Sequence, residues 1–311
     1  MSKQGGFMDR RSFISKGLMA GAAVAVAPTL LSSTVACGRP QLGADGQPES
    51  KGLDAFMSEG ARVMWIAAHP DDECFSGSIL ARASIHYGNP LQFVLMTRGD
   101  GGECCRPQGC EPDLATVRAG EMQKVADLYR GGLAMESYFN APLPVESFPK
   151  RHVLHGMWKE HRDPMEYLVG QIRAFKPDLV LTFEPTYGAT GHPEHQLTSR
   201  LAFNAVRLAA DPAFAGEAPH KVERTYFLLN RFWLLRLAGA ADPGPVSEVF
   251  DATVKATDVM SCVDFMVYAT RLHETQANDM GTVRKLRFAF NNLSLRRVDP
   301  FTQSWNPDEP A

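Results

Sequence analysis

Val63-Met64-Trp65-Ile66-Ala67-Ala68-His69-Pro70-Asp71-Asp72-Glu73 joins an apolar run to a crowded polar turn. The run has the length and composition of a strand buried on both faces. Where it stops, a histidine and three carboxylates fall within five positions. Their charges repel one another unless a cation or a proton resolves them. A shell of imidazole and carboxylate suits a hard or borderline divalent cation. The competing reading is a helix start, where Asp and Glu complement the dipole and proline is at home in the first turn.

Working outward, the pattern alternates strand and helix. The sequence predicts a strand over 62–68 and a helix over 76–87, stopped by Gly88-Asn89-Pro90. A strand over 91–97 follows, then the turn Arg98-Gly99-Asp100-Gly101-Gly102, then a helix over 113–129. A short third strand is expected over 136–141 and an irregular connection over 144–161. Helices over 164–175 and 193–209 flank the apolar run Leu179-Val180-Leu181-Thr182-Phe183 and the loop 184–191. Later strands are expected over 226–229 and 248–254, and a long helix over 257–276; the pattern after Gly281 assigns nothing. This order reads as α/β: a Rossmann-like, doubly wound, mostly parallel sheet with helices on both faces. In such sheets ligands lie beyond the carboxyl ends of the strands. Three polar clusters fall there: 69–73, 98–100 and 192–195.

The last of these is Gly191-His192-Pro193-Glu194-His195. Brought beside the first, it completes a three-ligand shell of His69, Asp72 and His195. Two imidazoles and one carboxylate leave a fourth position open, the pattern of a catalytic site. Against this stands the reading in which His192 caps a helix and His195 packs on the sheet.

Ala-His-Pro-Asp-Asp-Glu after a first strand, with Gly-His-x-x-His later, resembles the PIG-L/LmbE-like zinc-dependent N-acetylglucosaminyl deacetylase family. Supporting matches are Thr97 to Gly102, the Arg-x-x-Glu of Arg118 and Glu121, Lys176-Pro177-Asp178-Leu179-Val180, and His273-Glu274-Thr275-Gln276. The resemblance spans roughly residues 60 to 280. It implies removal of an acetyl group from an N-acetylglucosamine-containing sugar or glycoconjugate. It implies Zn2+, or another divalent metal, on His69, Asp72 and His195. Asp71 becomes the general base and His192 the group facing the carbonyl oxygen. Arg98 and Asp100 become substrate contacts, and Glu73 and Glu194 carboxylates that support the turn or orient a ligand. This chain departs from the family in carrying Glu194 where Asp is usual and Thr190 where some members have Tyr, with Tyr187 nearby. The cysteine-rich loop 103–111 lies outside the pattern.

The remaining features bound where the chain works. Its 311 residues carry a formal charge of -3 and are 44% hydrophobic, so no basic face argues for nucleic acid and the core can be sizeable. Asp9-Arg10-Arg11-Ser12-Phe13 ahead of a weakly apolar stretch reads as a twin-arginine export signal over 1–36, followed by a flexible tether over 37–52 and one domain over 53–311. The destination would be periplasmic or cell-surface, with Cys37 a candidate for lipid attachment. An oxidising compartment would permit a disulfide from Cys110 to Cys104 or Cys105. Oligomeric state is open. Two other readings keep the scaffold: hydrolysis of another amide, and non-catalytic carbohydrate binding. A dinucleotide oxidoreductase is excluded, because the first strand runs into His69-Pro70-Asp71 and not into a glycine-rich phosphate turn.

Overall fold

Short apolar runs become inner strands here because both of their faces are covered. The structure, a computed structural model, describes residues 51–232 and 242–309. The expected export signal over 1–36 and most of the tether, Cys37 included, lie outside the described residues. The strands are β1 (Val63–Ala67), β2 (Leu91–Leu95), β3 (Gly132–Met135), β4 (Leu179–Phe183), β5 (Arg224–Leu229), β6 (Glu248–Asp251) and β7 (Asn292–Val298). The main helices are α1 (Leu53–Met57), α2 (Gly77–Ala81), α3 (Leu114–Leu128), α4 (Arg151–His161), α5 (Pro164–Phe175), α6 (Pro193–Ala209), α7 (Cys262–Ala269) and α8 (Ala277–Lys285).

Among the described residues these strands form one sheet in the order β3-β2-β1-β4-β5-β7-β6. The first five run parallel, and β7 is antiparallel to both β5 and β6. Alternate residues of each inner strand enter opposite cores. Val63, Trp65 and Ala67 pack with α1, α2, α3 and α7. Met64 and Ile66 pack with α4, α5 and α6, through Leu154, Trp158, Leu168, Ile172, Leu197 and Leu201. The predicted doubly wound, mostly parallel architecture is therefore the one observed. No described helix is long and apolar enough to cross a membrane.

Side-chain caps set several boundaries. Asp113 accepts the Thr116 amide at 2.7 Å to start α3, and Asp163 accepts the Met165 amide at 2.8 Å to start α5. Buried Arg173 on α5 donates to the carbonyls of Ala209, Asp211, Phe214 and Glu217, locking the end of α6 against α5.

Three local expectations are corrected. The third strand is Gly132–Met135, not 136–141; a pair of glycines masked its start, although Glu136 and Tyr138 still donate to Leu95 and Met96 as the segment runs on beside β2. The connection over 144–161 contains the helix α4, whose buried Leu154, His155 and Trp158 line one face despite three histidines that read as loop. The long helix over 257–276 is instead α7 followed by 3-10 turns at Thr270–Leu272 and Glu274–Gln276. His273, at φ -86° and ψ 69°, breaks the helical path between those turns.

Candidate active site

The chain moves outward from β1 to β2 and β3 on one side, and from β4 to β5 on the other. The crevice of such a sheet therefore opens between β1 and β4. The turn 69–73 leaves β1 at this point. The loop after β4 returns through a tight turn, Gly188–Gly191, into α6. Gly188 sits at φ +61°, and a Cβ there would lie 2.7 Å from His195 Cβ, so only glycine lets the loop close onto the histidine.

Three donor atoms converge in the crevice. His69 Nδ1 is 3.0 Å from His195 Nε2. Asp72 Oδ1 is 3.0 Å from His195 Nε2, and Asp72 Oδ2 is 3.5 Å from His69 Nδ1. All three residues are buried. The far sides of the rings fix their tautomers. His195 Nδ1 lies 2.9 Å from the Gly188 carbonyl, which only accepts, so Nδ1 carries the proton; Thr190 Oγ1 is 3.0 Å from the same nitrogen. His69 Nε2 is 2.5 Å from Glu194 Oε2 and donates to it. Neutral rings thus turn two bare nitrogens toward each other and toward a carboxylate. Ligands about 2.0–2.1 Å from a tetrahedral centre would stand about 3.3 Å apart, so the donor set fits a cation. A proton is the alternative filling: burial opposes charge on His69, but Asp72 and Glu194 outweigh it and raise its pKa to about 9.

His192 stands against this triangle. Its ring stacks on His195 with centroids 5.0 Å apart and meets His69 edge-on at 4.8 Å. One ligating atom from each of His69, His192 and His195 lies within 4.8 Å of the others, so a three-histidine set is a second geometric option for a metal. His192 also caps α6, its Nδ1 accepting the Glu194 amide at 3.2 Å. In a neutral ring that leaves the proton on Nε2. The helix-cap and site readings of His192 are thus compatible, and His195 likewise both packs on Phe183 and faces the crevice.

Asp71 is buried at φ +97°, a left-handed conformation costly for a residue with a side chain. Arg118 from α3 holds it there. Nη2 donates to Asp71 Oδ2 at 3.1 Å and to the Pro70 carbonyl, while Nη1 donates to the Gly99 carbonyl at 2.7 Å. Glu73 braces the same turn, with Oε2 accepting the Asp71 amide at 3.1 Å and Oε1 meeting His273 Nε2 at 2.6 Å. Glu121, one helical turn after Arg118, accepts the amide and hydroxyl of Thr275 at 3.0 and 2.6 Å. Glu194 does more than orient one imidazole: Asn140 Nδ2 and the Ala141 amide also donate to it, at 2.7 and 2.6 Å. Arg118, Asn140, Thr190 and His273 are the supporting residues the sequence reading did not place. Arg118 and His273 had a signal in the supporting motifs, Thr190 only as a departure from the family pattern, and Asn140 none.

Arg98 and Asp100 are exposed on the turn that Arg118 clips through Gly99. The cysteine-rich loop that follows is closed by a Cys104–Cys110 disulfide, leaving Cys105 free. Tyr187 is half-buried, beside Gly191.

The Glu73–His273 pair is almost wholly inaccessible, and removing one member strands the other's charge. His273→Ala is therefore expected to lower the unfolding free energy by about 3–5 kcal/mol in urea titration, with part of the loss recovered in Glu73→Gln/His273→Ala. A loss under about 1 kcal/mol would contradict the bracing role.

A family model described as PIG-L, GlcNAc-PI de-N-acetylase, matches residues 64–206, which include both histidine clusters. The 1D-myo-inositol 2-acetamido-2-deoxy-alpha-D-glucopyranoside deacetylase of Streptomyces scabiei (strain 87.22) is 30% identical over 239 residues, 70% of this chain and 72% of that protein. The chain spans about half to three quarters of the length of other curated relatives it matches. Among solved structures, the N,N'-diacetylchitobiose deacetylase of Pyrococcus horikoshii superposes with a TM-score of 0.56 at 18% identity, covering 80% of this chain and 88% of that one. A 4-carboxy-2-hydroxymuconate hydratase of Pseudomonas putida KT2440 superposes with a TM-score of 0.55 at 16% identity, covering 77% and 96%. The fold alone is thus shared by enzymes of different chemistry. The match to both histidine clusters and the identity to the Streptomyces protein go further, and by them this chain belongs to the PIG-L family.

Proposed function

We propose that this protein is a metal-dependent N-deacetylase that removes the acetyl group from an N-acetylglucosamine-containing sugar or glycoconjugate, with Zn2+ on His69, Asp72 and His195. The observation that carries the reading is the convergence of two imidazole nitrogens and a carboxylate on one point beside Asp71 and His192. The names of the related Streptomyces and Pyrococcus proteins supply the acetamido-sugar class. A divalent cation held there would supply Lewis acidity, polarising an amide carbonyl and making water acidic near neutral pH.

The protein's own groups then divide the work. Asp71 takes the proton of the attacking water through Oδ1, since Oδ2 is held by Arg118. The same carboxyl later passes that proton to the leaving nitrogen. His192 donates Nε2–H to the developing oxyanion, because its Nδ1 is committed to the helix cap. Glu194, Gly188 and Thr190 keep the two ligand imidazoles in the tautomers that present bare nitrogens. Arg98 and Asp100, exposed on the turn after β2, contact sugar hydroxyls or an acidic substituent.

Acetate release from a panel of N-acetylglucosamine compounds tests the whole. The reading expects activity that is lost on chelation and restored by Zn2+. Asp71→Asn should lower turnover by about 10²–10⁴ and His192→Ala by about 10²–10³. Full turnover in Asp71→Asn would remove the base assignment. Sugar binding with no turnover across the panel would favour a carbohydrate-binding protein.

The proposal extends to export by the twin-arginine route, with the substrate in the cell envelope or beyond it and Cys37 as a lipid attachment point. Arg10, Arg11 and the order of the first 36 residues support this, and a disulfide at Cys104–Cys110 suits an oxidising compartment. Lysine at both Arg10 and Arg11 should leave full-length precursor in the cytoplasm on immunoblots of cell fractions. Undiminished export of that variant would contradict the route.

A further inference from the structure

The disulfide-closed loop docks on the segment that carries His273. The Cys105 amide donates to the Thr275 carbonyl at 3.0 Å, and Gln276 Nε2 donates to the Glu103 carbonyl at 2.8 Å. Between them lies a pocket of about 290 Å³. At roughly 30 Å³ per water, it has room for a small anion with part of its hydration.

The pocket's charge is one-sided. Arg106, Arg271 and Arg284 line it, against the single carboxylate of Glu274. Glu274 is turned to Arg106, 3.5 Å away. Arg271 and Arg284 work against each other: burial and the Arg271 charge both hold the Arg284 pKa below its usual value. An anion between the two guanidinium groups would relieve that repulsion, and their planar forks match an oxyanion. A second observation comes from the pocket wall. His273 is 1% exposed and its Nε2 is spent on Glu73, yet its Nδ1 has no hydrogen-bond partner. That nitrogen is itself inaccessible, so the ring senses charge placed in the pocket without bonding into it.

We propose that this pocket is a binding site for a small oxyanion, a phosphate group in the first instance, held by Arg271 and Arg284 with His273 in its wall. Bound there, the anion would place His273 between two negative groups, itself and Glu73. Glu73 also accepts the Asp71 amide, so the pocket's occupancy is coupled to the strained residue two hydrogen bonds away. The phosphate could be a free anion or a substituent of a sugar ligand; the chemistry of the site is the same.

Histidine ring nitrogens followed by NMR during titration of inorganic phosphate into the metal-loaded protein test this directly. His273 should shift saturably. The affinity should fall roughly tenfold or more in Arg271→Gln/Arg284→Gln, the scale of one lost charge-assisted hydrogen bond. Ala277→Glu, at an exposed pocket-lining position, should abolish the shift without removing any bond, which covers the case in which the double variant fails to fold. Tighter binding by N-acetylglucosamine 6-phosphate than by phosphate assigns the anion to a sugar ligand, and equal binding assigns it to the free ion. A shift confined to His69, His192 and His195, unchanged affinity in both variants, or no saturable shift would overturn the site.

Discussion

Two imidazole nitrogens 3.0 Å apart, each turned inward by a partner on the far side of its ring, constrain everything around them. Lone pairs at that separation repel, and a carboxylate oxygen 3.0 Å away adds to the repulsion. Such an arrangement persists only if the surroundings enforce it and something positive fills it. The surroundings are the carboxyl ends of β1 and β4, the one place in this sheet where two parallel strands leave in opposite directions. Strand order thus decides that His69 and His195, 126 residues apart in sequence, share a crevice.

Around that point runs a set of buried charges whose common task is to hold short turns in place. Asp72 Oδ2 accepts the amides of Ala68 and His69 at 3.1 and 2.9 Å, so the ligand candidate also shapes the turn that presents it. Arg118 grips Asp71 by its carboxylate and Glu73 by its amide, and Glu121 and His273 tie those grips to the segment after α7. Burying so many charges is costly unless each is paired. The pairing is what allows Asp71 to remain at φ +97° beside a metal-type donor set.

The sequence made the layer structure legible because the inner strands are continuous apolar runs and the helices between them keep a 3.6-residue pattern. It failed where tertiary contact overrode local pattern. Gly131-Gly132 hid the start of β3. His152, His155 and His161 disguised α4, whose buried face is completed by Leu154 and Trp158. His273 bends a helical pattern because its ring turns inward to Glu73, a residue 200 positions earlier. In the site, the residue types and the strand-end positions were readable from two short motifs. The division of Glu194 among His69, Asn140 and Ala141 was not, since nothing local marks a partner 54 residues away. The longer side chain at position 194 is nevertheless consistent with its reach to both the ligand ring and the loop after β3.

The same fold carries a deacetylase and a hydratase, so the choice of chemistry rests on the donor set and its neighbours. Two histidine-containing sets are geometrically available, one completed by Asp72 and one by His192. They differ in consequence: only in the first is His192 not itself a ligand, so that its Nε2 can turn to an oxyanion. Diffraction from zinc-loaded crystals above and below the zinc absorption edge separates them. The account predicts one anomalous peak about 2.0–2.2 Å from His69 Nδ1, His195 Nε2 and an oxygen of Asp72, with His192 outside bonding distance. A peak bonded to His192 with Asp72 unengaged, or no peak in the crevice, would contradict it.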